Sequence, residues 1–300
     1  MNRFGTHDDF ASFIARHLPG KLQKLTVNAG LSCPNRDGKK GRGGCTYCNN
    51  QSFSPAFATV PAPVNEQLEN GKQFFAHKYP NMRYLAYFQS YTATNNTTPA
   101  LMEMFSQALD VDGIDGLIIG TRPDCMPDDL LEELRLLRKK KFVMIEYGAE
   151  TAHDTTLEKV NRCHTWADTC DAVIRTSKAD IPVGLHLIMG LPGESREDIL
   201  ATIDAVNELP VDIVKCHQLQ LIRGTRMAQQ AEQGEIALHF PSVEEYIELC
   251  CDIVERLRDD IAIERFVSQS PAELLIEPHW GLKNYQFAAL LQKALKRRKS

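Results

Sequence analysis

No apolar run in the chain approaches the roughly 18 residues a membrane helix needs, so a spanning segment is not expected. The opening, Met1 to Asp9, has no basic flank leading into an apolar stretch; a secretory leader is therefore not expected, and a cytoplasmic location is. A basic excess is missing too. Lys and Arg number 34 against 39 Asp and Glu, a net charge of −5, which argues against a broad basic face for gripping nucleic acid. With 18 Gly and 15 Pro in 300 residues, a collagen-like or low-complexity chain is ruled out. There is no internal repeat and no long linker. What remains, at 43% hydrophobic and 24% charged, is an ordinary globular chain long enough for one large domain or two small ones.

Cysteine is not scarce. There are nine, an odd number, in a chain large enough to bury a core without covalent staples, so a disulfide framework is not expected. Cys33, Cys45 and Cys48 crowd into one short loop, whereas Cys125, Cys163, Cys170, Cys216, Cys250 and Cys251 are dispersed. The clustered three read as ligands and the scattered six as packing, Cys163 and Cys216 included.

Along the chain, apolar strand-like runs alternate with amphipathic helical ones. Strands are expected at Leu22 to Val27, Tyr84 to Phe88, Leu117 to Ile119, Phe142 to Ile145, Val183 to Met189 and Ile213 to Leu221. Helices are expected at Val64 to Tyr79, from Pro99, from Pro127, near Thr155 to Val160, at Asp168 to Ser177 and at Ser195 to Leu209. About six βα units with strands apolar on both faces predict an α/β fold, either a parallel barrel or an open doubly wound sheet; six units fall short of the usual eight, which argues against a complete barrel. Composition shifts near Gly234. Residues 1–235 read as the core domain and 236–300 as a C-terminal α+β extension packed on it, with a helix through Val243 and Val254, a strand at Ile261 to Ile263 and a last helix from about Tyr285.

The loop Cys33-x11-Cys45-x2-Cys48 offers three thiolates and no fourth ligand by spacing; His17 and His77 are the nearest histidines and are remote. A structural zinc ion wants four ligands, so a zinc site needs one from elsewhere in the fold. Three thiolates on a [4Fe–4S] cluster leave one iron open to bind a small molecule. The loop follows the first strand, at the carboxyl end of the sheet, where the active sites of such folds gather.

Seven blocks, in order over residues 33–194, resemble the radical S-adenosylmethionine (SAM) enzymes, in particular the YhcC/YtqA-type branch allied to elongator protein 3 and the oxygen-independent coproporphyrinogen oxidases. They are Cys33-Pro34-Asn35-Arg36-Asp37-Gly38, Gly43-Gly44-Cys45-Thr46-Tyr47-Cys48, Phe88-Gln89-Ser90-Tyr91-Thr92, Thr121-Arg122-Pro123-Asp124, Glu146-Tyr147-Gly148-Ala149-Glu150-Thr151, Asn161-Arg162-Cys163-His164 and His186 through Glu194. The resemblance implies an α/β fold of the partial (β/α)6 TIM-barrel type, in which Cys33, Cys45 and Cys48 bind a [4Fe–4S] cluster. Its open iron would chelate SAM, and one electron would cleave SAM to a 5′-deoxyadenosyl radical that takes a hydrogen atom from substrate. By matching position, Tyr47 would flank the adenine, and Gln89, Ser90 and Tyr91 would occupy the stretch that receives the SAM amino group. Arg162 would clamp the SAM carboxylate, as a guanidinium fork suits. Glu150 and His186 would lie by the ribose, with Ile188 and Gly190 on the strand edge under the adenine. Two departures stand out. The first two cysteines are separated by 11 residues instead of three, and Gln89-Ser90 stands where a glycine pair is usual.

The expected function is a radical SAM enzyme that modifies tRNA at the wobble uridine, a transferase- or lyase-type activity, fed by a flavodoxin- or ferredoxin-type electron donor. Local basic groups at Arg36, Lys39, Lys40 and Arg42 and at Lys293 through Lys299 favour an RNA substrate; the net charge opposes it. A radical SAM enzyme acting on a small molecule is the alternative, and a non-catalytic zinc-stabilised binding protein is the alternative of another class.

Overall fold

The computed structural model describes residues 4–52, 62–76 and 82–299. Helix α1 (Phe10–Ala15) starts at Asp9, whose carboxylate accepts the Ser12 amide at 2.9 Å and so satisfies one of the helix's free amides. Strand β1 (Leu22–Val27) leads into the cysteine loop, and α2 (Val64–Ala76) returns to β2 (Arg83–Phe88). The alternation then runs α3 (Thr98–Leu109), β3 (Ile114–Thr121), α4 (Asp128–Arg138), β4 (Phe142–Glu150), α5 (Asp154–Lys159), α6 (Trp166–Lys178), β5 (Val183–Met189), α7 (Arg196–Asn207) and β6 (Ile213–Gln218). The last stretch holds β7 (Leu221–Ile222), α8 (Arg226–Glu232), α9 (Val243–Arg256), β8 (Ala262–Ile263), β9 (Leu275–Glu277) and α10 (Asn284–Arg298).

Seven parallel strands in the order β1-β2-β3-β4-β5-β6-β8 curl into a half-barrel with helices outside, the partial barrel that the resemblance implies and not an open doubly wound sheet. Parallel strands need long crossovers, and the helices between them supply these. The apolar runs are buried on both faces: Leu117, Ile118 and Ile119 are all fully inaccessible. At the amino end of the barrel, Phe13 and Ile14 of α1 plug the interior against Leu85, Ile118, Met144 and Ile213.

Two expectations change, and part of a third lies outside the described residues. The runs at Leu117 to Ile119 and Phe142 to Ile145 extend into β3 and β4, which carry the chain on to Thr121 and Glu150. The run Ile213 to Leu221 is not one strand. β6 stops at Gln218, the Leu219 amide donates to Met189 at 2.8 Å, and Leu221–Ile222 turn away to pair antiparallel with β9. The helix expected through Tyr79 is seen to Ala76; residues 77–79, and with them His77, lie outside the described residues. The tail also feeds the sheet, because Ala262 and Ile263 pair with Ile213 and Val214 as its seventh strand. Among the described residues no helix is long and apolar enough to cross a membrane.

Candidate active site

Strand alternation decides what faces the inside of the half-barrel. Register pairs Gly148 with His186 and His186 with Lys215, so alternate positions of β4, β5 and β6 present Glu146, His186 and Lys215 to one interior layer. β2 adds Tyr87, and β1 adds Lys24. Above this layer, at the carboxyl ends of the strands, the cysteine loop closes the mouth.

That loop has no regular structure and is braced from outside. Arg36 and Asp37 amides donate to Cys33 O at 2.7 and 3.0 Å, and the Gly44 amide donates to Asn35 O at 2.9 Å. Asn161 reaches across to donate to Arg42 O at 3.1 Å and Gly44 O at 2.8 Å, while Thr46 N donates to Val160 O at 2.9 Å. Gly41 packs against this brace. A Cβ there would lie 2.3 Å from Asn35 Oδ1 and 2.8 Å from Cys163 Sγ, so only glycine fits without displacing the loop.

Cys33, Cys45 and Cys48 line one cavity together with Tyr47, Gln89, Tyr91, Glu150, Arg162, His186 and Ile188. Ser90 and Gly190 are not in its lining. Ser90 is buried beside it, and Gly190 takes a φ of +91° at the end of β5, a conformation that favours glycine. Arg162 is 7% exposed, not a solvated charge. Its Nη2 donates to Gly148 O at 2.6 Å and lies 3.2 Å from Glu150 Oε1, and its Nη1 lies 3.4 Å from Cys45 Sγ. Gly148 makes room for it, since a Cβ there would sit 2.6 Å from Arg162 Nη2. Burial opposes the Arg162 charge, yet Tyr47, Cys45 and Glu150 raise its pKa well above the ordinary value.

Burial, joined by the neighbouring Cys45, pushes the Cys48 thiol up to about 11. A thiol so placed is a poor anion alone and a good ligand for a cationic iron centre. Among the described residues no three His, Cys, Asp or Glu side chains converge as the ligands of one metal ion do. A cubane asks for something else, one thiolate per iron corner, with positive charge nearby. Arg36, which donates to Cys48 O at 2.9 Å, and Arg162 supply that charge. Around the thiols, the Tyr47 hydroxyl, Thr92 Oγ1 and Arg162 Nε are buried with no partner among the described residues, as expected where a polar ligand completes the site. The residues fit the cluster and SAM that the resemblance implies.

Deeper in the barrel lies a charged network that sequence reasoning missed. Glu146 accepts from Lys24 at 2.7 Å and Tyr87 at 2.7 Å and meets His186 Nε2 at 2.6 Å. Lys24 also donates to Glu264 at 2.6 Å, and Lys215 to the Tyr87 hydroxyl at 2.8 Å. Burial works against the Glu146 charge, but Lys24, Lys215 and His186 together hold its carboxyl well below the usual range. Burial lowers the His186 pKa, leaving the ring a neutral hydrogen-bond partner. Cys163 is exposed and Cys216 fully buried; neither lines the cavity, and burial pushes the Cys216 thiol up to about 12.

Comparison with known proteins agrees with this geometry. The Radical SAM superfamily model matches residues 35–206 and the Radical_SAM C-terminal domain model residues 211–297. The chain is 36% identical to Protein YhcC of Escherichia coli over 272 residues, 90% of this chain and 86% of that one. It is 33% identical to Uncharacterized protein YtqA of Bacillus subtilis over 287 residues, covering 96% and 88%. A tRNA uridine(34) acetyltransferase of Methanocaldococcus jannaschii is 26% identical over 184 residues, 60% of this chain and 32% of that enzyme. In three dimensions the fold matches an Elp3 of Methanocaldococcus infernus with a TM-score of 0.67 at 16% identity, over 94% of this chain and 64% of that one. The chain belongs to the radical SAM superfamily, in the branch that holds YhcC and YtqA.

Proposed function

We propose that this radical SAM enzyme modifies tRNA at the wobble uridine, in the cytoplasm, with a flavodoxin- or ferredoxin-type protein as electron donor. The family's cofactors are a [4Fe–4S] cluster and SAM. Once bound, they supply a carbon radical that takes a hydrogen atom from the substrate. The chain's own part is to hold and to shield. Cys33, Cys45 and Cys48 would each hold one iron. Arg162, anchored on Gly148 O and with its Nε unpartnered among the described residues, would hold the SAM carboxylate. Tyr47 packs on the cluster of Val160, Ile188 and Leu219, which sets its ring as a wall for the adenine. Glu150 takes the ribose hydroxyls, and the fully buried strands behind exclude water from the radical.

The observation that carries the radical chemistry is the convergence of the three thiols with Arg162 and Glu150 on one cavity. For the tRNA substrate the support is the 26% identity with the tRNA uridine(34) acetyltransferase across 60% of this chain. The basic groups weigh less than their number suggests. Lys40 is paired with Asp124, Lys39 with Asp37, and Arg298 with Glu248, Asp252 and Glu255; of the basic groups near the cysteines, Arg36 lines the cavity. The test compares tRNA nucleosides by mass spectrometry from cells with and without the gene. A wobble-uridine derivative that disappears on deletion supports the reading, and an unchanged profile overturns it.

A further inference from the structure

A second cavity of about 740 Å³ opens sideways from the first, at the seam of the half-barrel between β1 and residues 264–271. Tyr87, Gln89, Lys215 and Arg265 line both, so the two communicate. The wall of the lateral lobe is aromatic. Phe75 packs edge-to-face against Phe74 (centroids 5.1 Å apart, 86°), and both rings line the lobe with Phe10 and Tyr87.

The charges in this lobe do not cancel. Lys24, Lys215 and Arg265 face two carboxylates, Glu146 and Glu264, and both carboxylates are already bonded to Lys24. Lys215 lies beyond them at 3.6 and 3.7 Å. Arg265 forms no ion pair or side-chain hydrogen bond among the described residues, and its Nε is buried without a partner. A guanidinium keeps its proton at any physiological pH. The surplus positive charge therefore rests at Arg265, on the floor shared by the two cavities, beside an aromatic wall. An aromatic face and one unmatched guanidinium are what an unstacked nucleotide requires: one for the base, the other for its phosphate.

We propose that the lateral lobe is the substrate site and binds a single unstacked nucleotide, its base against Phe74 and Phe75 and its phosphate on Arg265. This rests on the tRNA reading above and adds how the target nucleotide is held. The test uses anaerobically reconstituted enzyme with SAM and no reductant, so that binding is read without turnover. Dissociation constants are measured for uridine, uridine 5′-monophosphate and succinate. Wild type binds the monophosphate about tenfold or more tightly than uridine. In Arg265→Gln that preference vanishes while uridine binding is kept, which also shows that the variant is folded; Arg265→Lys retains part of it. The slope of log affinity against log salt for the monophosphate falls by about one in Arg265→Gln. A monophosphate preference that survives Arg265→Gln overturns the proposal, as does its absence in wild type. Succinate held through Arg265 with no nucleotide binding overturns it too, in favour of a small carboxylate substrate. An unchanged tRNA profile beside an Arg265-dependent monophosphate preference defeats the tRNA reading alone and leaves the nucleotide site standing.

Discussion

The two parts of the cavity treat their polar groups in opposite ways. Around the cysteines, the Tyr47 hydroxyl, Thr92 Oγ1 and Arg162 Nε are buried and left without partners. In the interior layer below, Lys24, Tyr87, Glu146, Lys215 and Glu264 satisfy one another, and only Arg265 stands outside the network. An orphaned buried group costs about 1–3 kcal/mol, so a fold keeps several together only where a ligand repays them. A closed network of charges does the reverse: it holds strands in register and sets a field, and needs nothing from outside. The mouth is built to be completed by cofactor, the layer below to be complete already.

The largest expected effect separates the mouth from the rest of the molecule. Cys45→Ser should reduce anaerobically prepared enzyme from about four irons per chain to almost none, with loss of the brown absorbance. Cys216→Ser, on β6 and sealed in the core, should keep the full iron content. Iron analysis of the pair decides whether ligation belongs to the loop cysteines; equal iron loss in both would break the contrast.

A smaller effect belongs to the network. Glu146→Gln leaves Lys24 and Lys215 as buried cations with one carboxylate between them. Removing one partner of a buried ion pair costs about 3–5 kcal/mol. Denaturant unfolding should show a loss of that size with iron content unchanged. Lost iron with unchanged stability would instead assign Glu146 to the cofactor.

That division also explains what could be read from the sequence. The cysteine spacing and the Asn161-Arg162 block are local in the chain, and Arg162 lines the cavity its motif suggested. The apolar runs of β2 and β5 marked the sheet because parallel strands are buried on both faces. The network was hidden for the same reason. Within Tyr84-Leu85-Ala86-Tyr87-Phe88, Tyr87 passes for one more core residue. Lys24 meets Glu146 across 122 positions and Glu264 across 240, and only the strand register brings them together. The seventh strand was hard to assign to the sheet because it is two residues long and held by its place, with Ala262 N donating to Asp212 O at 2.9 Å.

The smallest effect sharpens the contrast within the lobe itself, between a cation that titrates and one that does not. Burial, with Arg265 and Lys24 adding to it, pulls Lys215 down to about 8 against the opposing pull of Glu264 and Glu146. Of the other groups that face it, Tyr87 is pushed well above its ordinary value by burial. His186 and His217 are held down, again by burial first, so both stay neutral above pH 7. Lys24 is raised because its two glutamates outweigh burial, and Arg265 faces Lys215 as a guanidinium. Between pH 7 and 8.5, then, Lys215 is the group that changes: mostly an ammonium below about 8, mostly a neutral amine above. The second phosphate proton of uridine 5′-monophosphate leaves near pH 6 and the uracil ring proton only above this window, so the probe's charge is nearly constant in it. Affinity for the monophosphate should fall about twofold to threefold as pH rises from 7 to 8.5, since most of one nearby positive charge is lost in a partly screened site. In Lys215→Gln the profile should be nearly flat over the same range, and uridine should show almost no slope in either protein. A flat wild-type profile would mean that Arg265 alone holds the anion and that Lys215 belongs wholly to the network beneath it.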